Sequence, residues 1–116
     1  VMAVGATDET DQLADFSFWG TWLSVTAPGV DIHSSVPGDG SADALSQGSY
    51  MSEQGTSMAS PFVAGLAGLV RAKFPQLKAA EVKARIERSC QDLGDAGWDP
   101  KFGHGRIDAA RALQGQ

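Results

Sequence analysis

At 116 residues the chain has room for one domain and not two, and 42% apolar with 20% charged residues fits a folded protein rather than a disordered one. A net charge of −5 argues against nucleic acid as a partner, because phosphate binding needs clustered Lys and Arg and the basic residues here stand mostly among acidic ones. Cys90 is the single cysteine, so no internal disulfide and no thiolate metal site can form.

Val1-Met2-Ala3-Val4-Gly5-Ala6-Thr7 is a short apolar run of the kind that forms a buried parallel strand. The chain opens inside that run, which reads as an internal point of a longer protein. Asp8 to Asp11 form a polar turn. Trp22 to Ala27 alternates apolar and polar residues and stops at Pro28-Gly29, a strong turn signal. Asp31 to Val36 reads as another strand and Pro37 to Gly48 as a loop. Ser49 to Ser52 returns as its partner, giving a hairpin with a long connection.

From Ser57 the period changes to that of a helix. Met58, Phe62, Leu66, Leu69 or Val70, and Phe74 recur at spacings of three and four, while Ala64, Gly65, Ala67 and Gly68 make the other face small. Such a helix is expected to be buried on both sides. Interior glycines cost about 1 kcal/mol each relative to alanine, so a close neighbour is expected over Gly65 and Gly68, and Gly68→Leu is expected to prevent folding. Pro61 lacks an N–H, so regular helix is predicted to begin near it, with Ser57 in the irregular turn before it and Pro75 beyond the end. The run from Met58 to Val70 is too short to span a bilayer, and no membrane partner is expected. Lys78 to Cys90 reads as a second helix, with Val82, Ile86, Cys90 and Leu93 on one face. Cys90 there behaves as a small hydrophobe. Glu81, Lys83, Arg85, Glu87 and Arg88 are predicted to be solvated, with Glu81 and Arg85 paired across one turn. A glycine turn at 103–105 then leads into a short last helix capped by Asp108.

Chemistry concentrates at Gly55-Thr56-Ser57-Met58-Ala59-Ser60-Pro61. A serine hydroxyl attacks only where a base removes its proton, and most serines at helix starts are simple caps. Here a strand, a glycine and small residues lead into a helix, which exposes the hydroxyl where main-chain N–H groups and the helix dipole favour a developing oxyanion. The segment resembles the nucleophile motif of the subtilisin-like serine proteases, the subtilases. Val1 to Ala6, Phe16-Ser17-Phe18-Trp19-Gly20, Val25-Thr26-Ala27-Pro28-Gly29 and Phe102-Gly103-His104-Gly105-Arg106-Ile107-Asp108-Ala109 are similar to further family segments, in family order across nearly the whole chain.

The resemblance implies an α/β fold. Residues 1–116 would be the carboxy-terminal segment of a subtilisin-like catalytic domain, with parallel strands, a hairpin, a buried nucleophile-bearing helix and two further helices. It makes Ser57 the nucleophile, with its own N–H as one oxyanion donor, Thr56 as a supporting hydroxyl and Met58 as an active-site neighbour whose oxidation would impair catalysis. It implies a serine endopeptidase acting on polypeptides through an acyl-enzyme, outside the cytoplasm. It offers calcium to the whole enzyme, although no cofactor or metal ligand is identifiable here: Asp8, Glu9 and Asp11 lack the spacing of a calcium loop.

The family's aspartate, histidine and oxyanion asparagine have no counterpart in the chain. His33, read as ending a strand, and His104, between two glycines, match neither the family histidine nor its context. Phe62 stands where a histidine outside the triad is common, and Ser52-Glu53-Gln54-Gly55 replaces a shorter family sequence. The chain alone is therefore expected to be inactive, to dock onto the upstream half of its domain, and to self-associate through uncovered apolar surface. The competing reading is a non-catalytic binding or structural module built from the same half-fold.

Overall fold

A computed structural model describes residues 1–35 and 50–114. Strand β1, Val4–Thr7, pairs in parallel with β2, Val25–Pro28, with Val4 opposite Val25 and Thr7 opposite Pro28. Both are shorter than predicted. The Ser17 hydroxyl accepts from the Ala6 N–H at 3.0 Å on the way between them. The Asp8–Asp11 turn is tied by the Asp8 carboxylate, which accepts from the Thr10 hydroxyl at 2.7 Å and from the N–H groups of Thr10 and Gln12. These bonds, the Thr10 hydroxyl first, hold its pKa below the ordinary value.

Strand β3, Ile32–Ser35, and β4, Tyr50–Glu53, form the expected antiparallel hairpin, with Ile32 opposite Glu53 and Ser35 opposite Tyr50. The loop read at Pro37 to Gly48 lies outside the described residues. His33 sits inside β3 rather than at its end.

Helix α1, Thr56–Lys73, starts five residues earlier than Pro61 suggested. Proline is tolerated there because the ladder is only beginning, so the cost falls on the bond its missing N–H would make to the Ser57 carbonyl. The buried face also differs from the predicted one. Ala59, Val63, Leu66, Val70 and then Phe74 enter the core, packing against β1 and β2, while Phe62 and Leu69 are 44% and 53% exposed. A helix of 3.6 residues per turn carries two apolar stripes here, roughly 100° apart, and periodicity alone could not tell which one the sheet takes. Nothing among the described residues lies within 4 Å of a Cβ placed at Gly65 or Gly68. The expected collision is absent, and the sign of the prediction reverses. Gly68→Leu in the 116-residue chain should raise stability by the ~1 kcal/mol that glycine costs in a helix, and the thermal midpoint with it; a variant that unfolds would restore the crowded face.

Helix α2, Ala79–Ser89, lies one residue inside its predicted bounds at each end, Lys78 and Cys90 being its caps; the Glu81 carboxylate accepts from the Lys78 N–H at its start. Val82, Ile86 and Cys90 are buried in the core cluster. Burial, then the negative charge of Glu87, pushes the Cys90 thiol up to about 12, so it stays protonated and inert at neutral pH. Three charged residues read as solvated are not free. Glu87 accepts from the Ser24 hydroxyl at 2.7 Å, Lys83 reaches the Val1 carbonyl at 3.3 Å, and Arg85 donates to the Ala112 carbonyl at 2.6 Å while lying 3.9 Å over the Phe74 ring. The Asp108 side chain caps α3, Ala109–Ala112, at the Arg111 N–H.

The segment 103–107 closes the sheet. Thr26 donates to the Gly105 carbonyl and accepts from the Ile107 N–H, so β2 is flanked by β1 on one side and this segment on the other. Arg106 reaches both carboxylate oxygens of Asp11 at 2.6 Å, tying the last turn of the chain to the first.

Candidate active site

Two glycines position the start of α1. At the end of β2, the Gly29 N–H donates to the Thr7 carbonyl at 3.0 Å, and its own carbonyl accepts from the Gly55 N–H at 2.8 Å. A Cβ on Gly29 would sit 2.7 Å from the Ala6 Cβ and 2.8 Å from the Gly55 oxygen, so only glycine allows both strand ends and the helix start to meet. Gly55 has φ 147 and ψ 162, a conformation that L side chains rarely adopt. Its carbonyl then accepts from the N–H groups of Met58 and Ala59.

This leaves the main-chain N–H groups of Thr56 and Ser57 without an acceptor among the described residues. The first turn contains no acidic side chain, so the positive end of the helix dipole is not offset locally. Ser57 is exposed and Thr56 half-buried. The Ser57 hydroxyl has no hydrogen-bond partner among the described residues. An open hydroxyl beside a free N–H at a helix start can attack a carbonyl carbon and hold the resulting oxyanion, provided a base is brought to it.

Met58 lies beside this point and lines a cleft of about 300 Å³ with Ile32, His33, Ser34, Pro61 and Phe62. His33 shares that cleft, yet its ring stacks on Tyr50 at 5.5 Å and its Nδ1 lies 3.3 Å from the Ser52 hydroxyl. His104 is farther along the fold, with Nε2 3.6 Å from the Glu87 carboxylate. Neither histidine bonds to Ser57. In the acidic cluster, Asp8 is occupied by its turn and Asp11 by Arg106. Among the described residues no group of three His, Cys, Asp or Glu side chains is placed to share a metal ion.

The Gly29–Gly55 contact was not foreseen as part of the site. Its sequence signal is the Ala27-Pro28-Gly29 stop, whose glycine serves the helix start rather than only the turn.

The subtilase (peptidase S8) family profile matches residues 1–105. Alkaline elastase YaB from Bacillus sp. (strain YaB) is 40% identical over 113 residues, covering 97% of this chain and 27% of the relative. Subtilisin DY from Bacillus licheniformis is 40% identical over 114 residues, covering 98% of this chain and 37% of the relative. Among solved structures, fervidolysin from Fervidobacterium pennivorans, a keratinolytic enzyme related to subtilisin, superposes with a TM-score of 0.88 at 34% identity, over 100% of this chain and 19% of its own. The chain thus spans well under half the length of these relatives. With the profile covering all four strands and the first two helices, the chain belongs to the subtilase family.

Proposed function

We propose that residues 1–116 are the nucleophile-bearing, carboxy-terminal part of the catalytic domain of a serine endopeptidase. The observation that carries this reading is the exposed Ser57 hydroxyl beside its own unbonded N–H, at a helix start pinned to two strand ends by Gly29 and Gly55.

In the whole enzyme, a histidine supplied from outside this chain takes the Ser57 proton as Oγ attacks the scissile carbonyl. The oxyanion of the tetrahedral intermediate takes a hydrogen bond from the Ser57 N–H, with Thr56 supporting it and an asparagine from outside the chain as the second donor. The histidine returns the proton to the leaving amine, and water then hydrolyses the acyl-enzyme. Met58 flanks the nucleophile. The substrate is a polypeptide, and the family resemblance favours action outside the cytoplasm. No residue here is assigned to calcium.

In a full-length protein carrying this chain, Ser57→Ala should lower peptide turnover by roughly 10⁶-fold with folding unchanged, subtilisin itself being the source of that magnitude. Turnover retained within tenfold would remove Ser57 from the mechanism. The exposed stripe of Phe62 and Leu69, bordered by the open Gly65, fits a face that another polypeptide covers. The isolated chain should therefore associate with itself. Sedimentation should give a species larger than a monomer that separates when Phe62 and Leu69 are both changed to serine; a monomer at high concentration would contradict this.

A further inference from the structure

The chain has three tryptophans, Trp19, Trp22 and Trp98, and all of them reach the surface, 52%, 57% and 40% exposed. Two loops bring them together. The Gly20 N–H donates to the Pro100 carbonyl at 2.9 Å, and the Trp98 indole N–H donates to the Leu23 carbonyl at 2.9 Å, so residues 18–23 and 98–101 form one surface. Phe18 adds a fourth ring, 77% exposed. Neither loop is slack. The buried Asp99 carboxylate accepts from the N–H groups of Lys101 and Phe102, each at 2.9 Å, and fixes the turn after Trp98. The Trp22 ring lies against Gly20, where a Cβ would meet its Nε1 at 2.7 Å. The Lys101 ammonium stands 5.5 Å from the centre of the Trp19 ring.

Apolar rings held rigid and exposed in one place mark an interaction surface. Its area and its polarity select the partner. An aromatic side chain buries about 150–250 Å² when fully covered, so four rings about half exposed offer roughly 400 Å². A stable protein partner needs about 800 Å² on each side. The indole donors are also withdrawn from a peptide carbonyl: the Trp98 N–H is spent on Leu23, and the Trp22 nitrogen is turned onto Gly20. What faces outward is ring surface, whose negative π-cloud attracts polarised C–H groups. The flat C–H face of a pyranose ring meets that need, with its hydroxyls kept at a rim where Thr21 and Lys101 are exposed. We propose that this surface binds a neutral polysaccharide, with consecutive hexopyranose rings stacking on the indoles. It lies at the other end of β2 from the proposed nucleophile. Leu23 precedes that strand and Gly29, bonded to Gly55, follows it, so four residues of strand, about 13 Å at 3.3 Å per residue, stand between them. A polysaccharide held there leaves the start of α1 open.

The test titrates a full-length protein carrying this chain, by isothermal calorimetry, with cellohexaose, with chitohexaose and, in a reference arm, with a proline decamer. Saturable binding of at least one of the two saccharides is expected, at least tenfold tighter than that of the peptide. Trp19→Ala and Trp22→Ala, both at exposed positions, should each weaken it at least tenfold with an unchanged circular dichroism spectrum. The absence of saturable binding by both saccharides, or binding left unaltered by either variant, would overturn the proposal. A proline decamer bound as tightly as the saccharide would also overturn it, by assigning the surface to a polypeptide. The measurement needs no catalysis, so its failure leaves the protease reading intact.

Discussion

The 116-residue chain on its own should hydrolyse peptides no faster than a Ser57→Ala version of itself. Ser57 has an accessible hydroxyl and, among the described residues, a free N–H and no base bonded to it. His33 is held by Tyr50 and Ser52 on the hairpin, and His104 sits against Glu87. In subtilisin, the reference case for this chemistry and a relative of the chain, removing the nucleophile or the histidine costs roughly 10⁶-fold in turnover, and what remains rests on the oxyanion hole and substrate binding. On the proposed reading the isolated chain has only part of either. A turnover that depends on Ser57 and disappears with His33→Ala or His104→Ala would mean that one of these histidines reaches the nucleophile in solution.

Gly105→Ala should prevent the chain from folding. Gly105 has φ 122, and a Cβ there would lie 2.1 Å from the Gln91 carbonyl oxygen. Both the strained backbone and the main-chain collision must be relieved, at a cost of roughly 2–6 kcal/mol when strain and overpacking are combined. Relief means moving the strand-like segment whose Gly105 carbonyl accepts from Thr26 and whose Ile107 N–H donates to it. That loss approaches the whole stability of a small domain. Circular dichroism should show a chain without a cooperative thermal transition; a variant melting within a few degrees of the parent would show that the 103–107 segment is not needed to close the sheet.

Much of this architecture was legible in residue order. The second helix is found nearly to the residue because its ends carry local signals, with Glu81 three residues after Lys78 and Val82, Ile86 and Cys90 at helical spacing. Asp108 as a cap, the hairpin and the turn after Thr7 were visible for the same reason. What could not be read depends on contacts distant in sequence. The burial of Ala59 and Val63 in place of Met58 and Phe62 is decided by β1 and β2, which periodicity does not contain. Pro61 does not mark the helix start because its missing N–H falls within the opening turns, where Gly55 sets the start. Arg85 and Glu87 look solvated on a helical wheel, but their partners lie on other elements, at Ala112 and Ser24.

The candidate site divides in the same way. Ser57, Thr56 and Met58 follow from seven consecutive residues, whereas the clamp that aims them joins Thr7, Gly29 and Gly55 across nearly half the chain. On the proposed reading, that clamp explains how a nucleophile's environment forms on this piece of the fold. It sets the helix start that carries the Ser57 hydroxyl and its unbonded N–H; on the proposed reading these are the nucleophile and one oxyanion donor, and the base is supplied from outside the chain.

A fluorophosphonate probe, followed by mass spectrometric mapping, tests the central claim most directly. Incubated with a full-length protein carrying this chain, it should modify one residue, Ser57, stoichiometrically and within minutes, and it should leave the isolated 116-residue chain unmodified over the same time. Labelling of the full-length protein at any other residue, or rapid labelling of Ser57 in the isolated chain, would contradict the account.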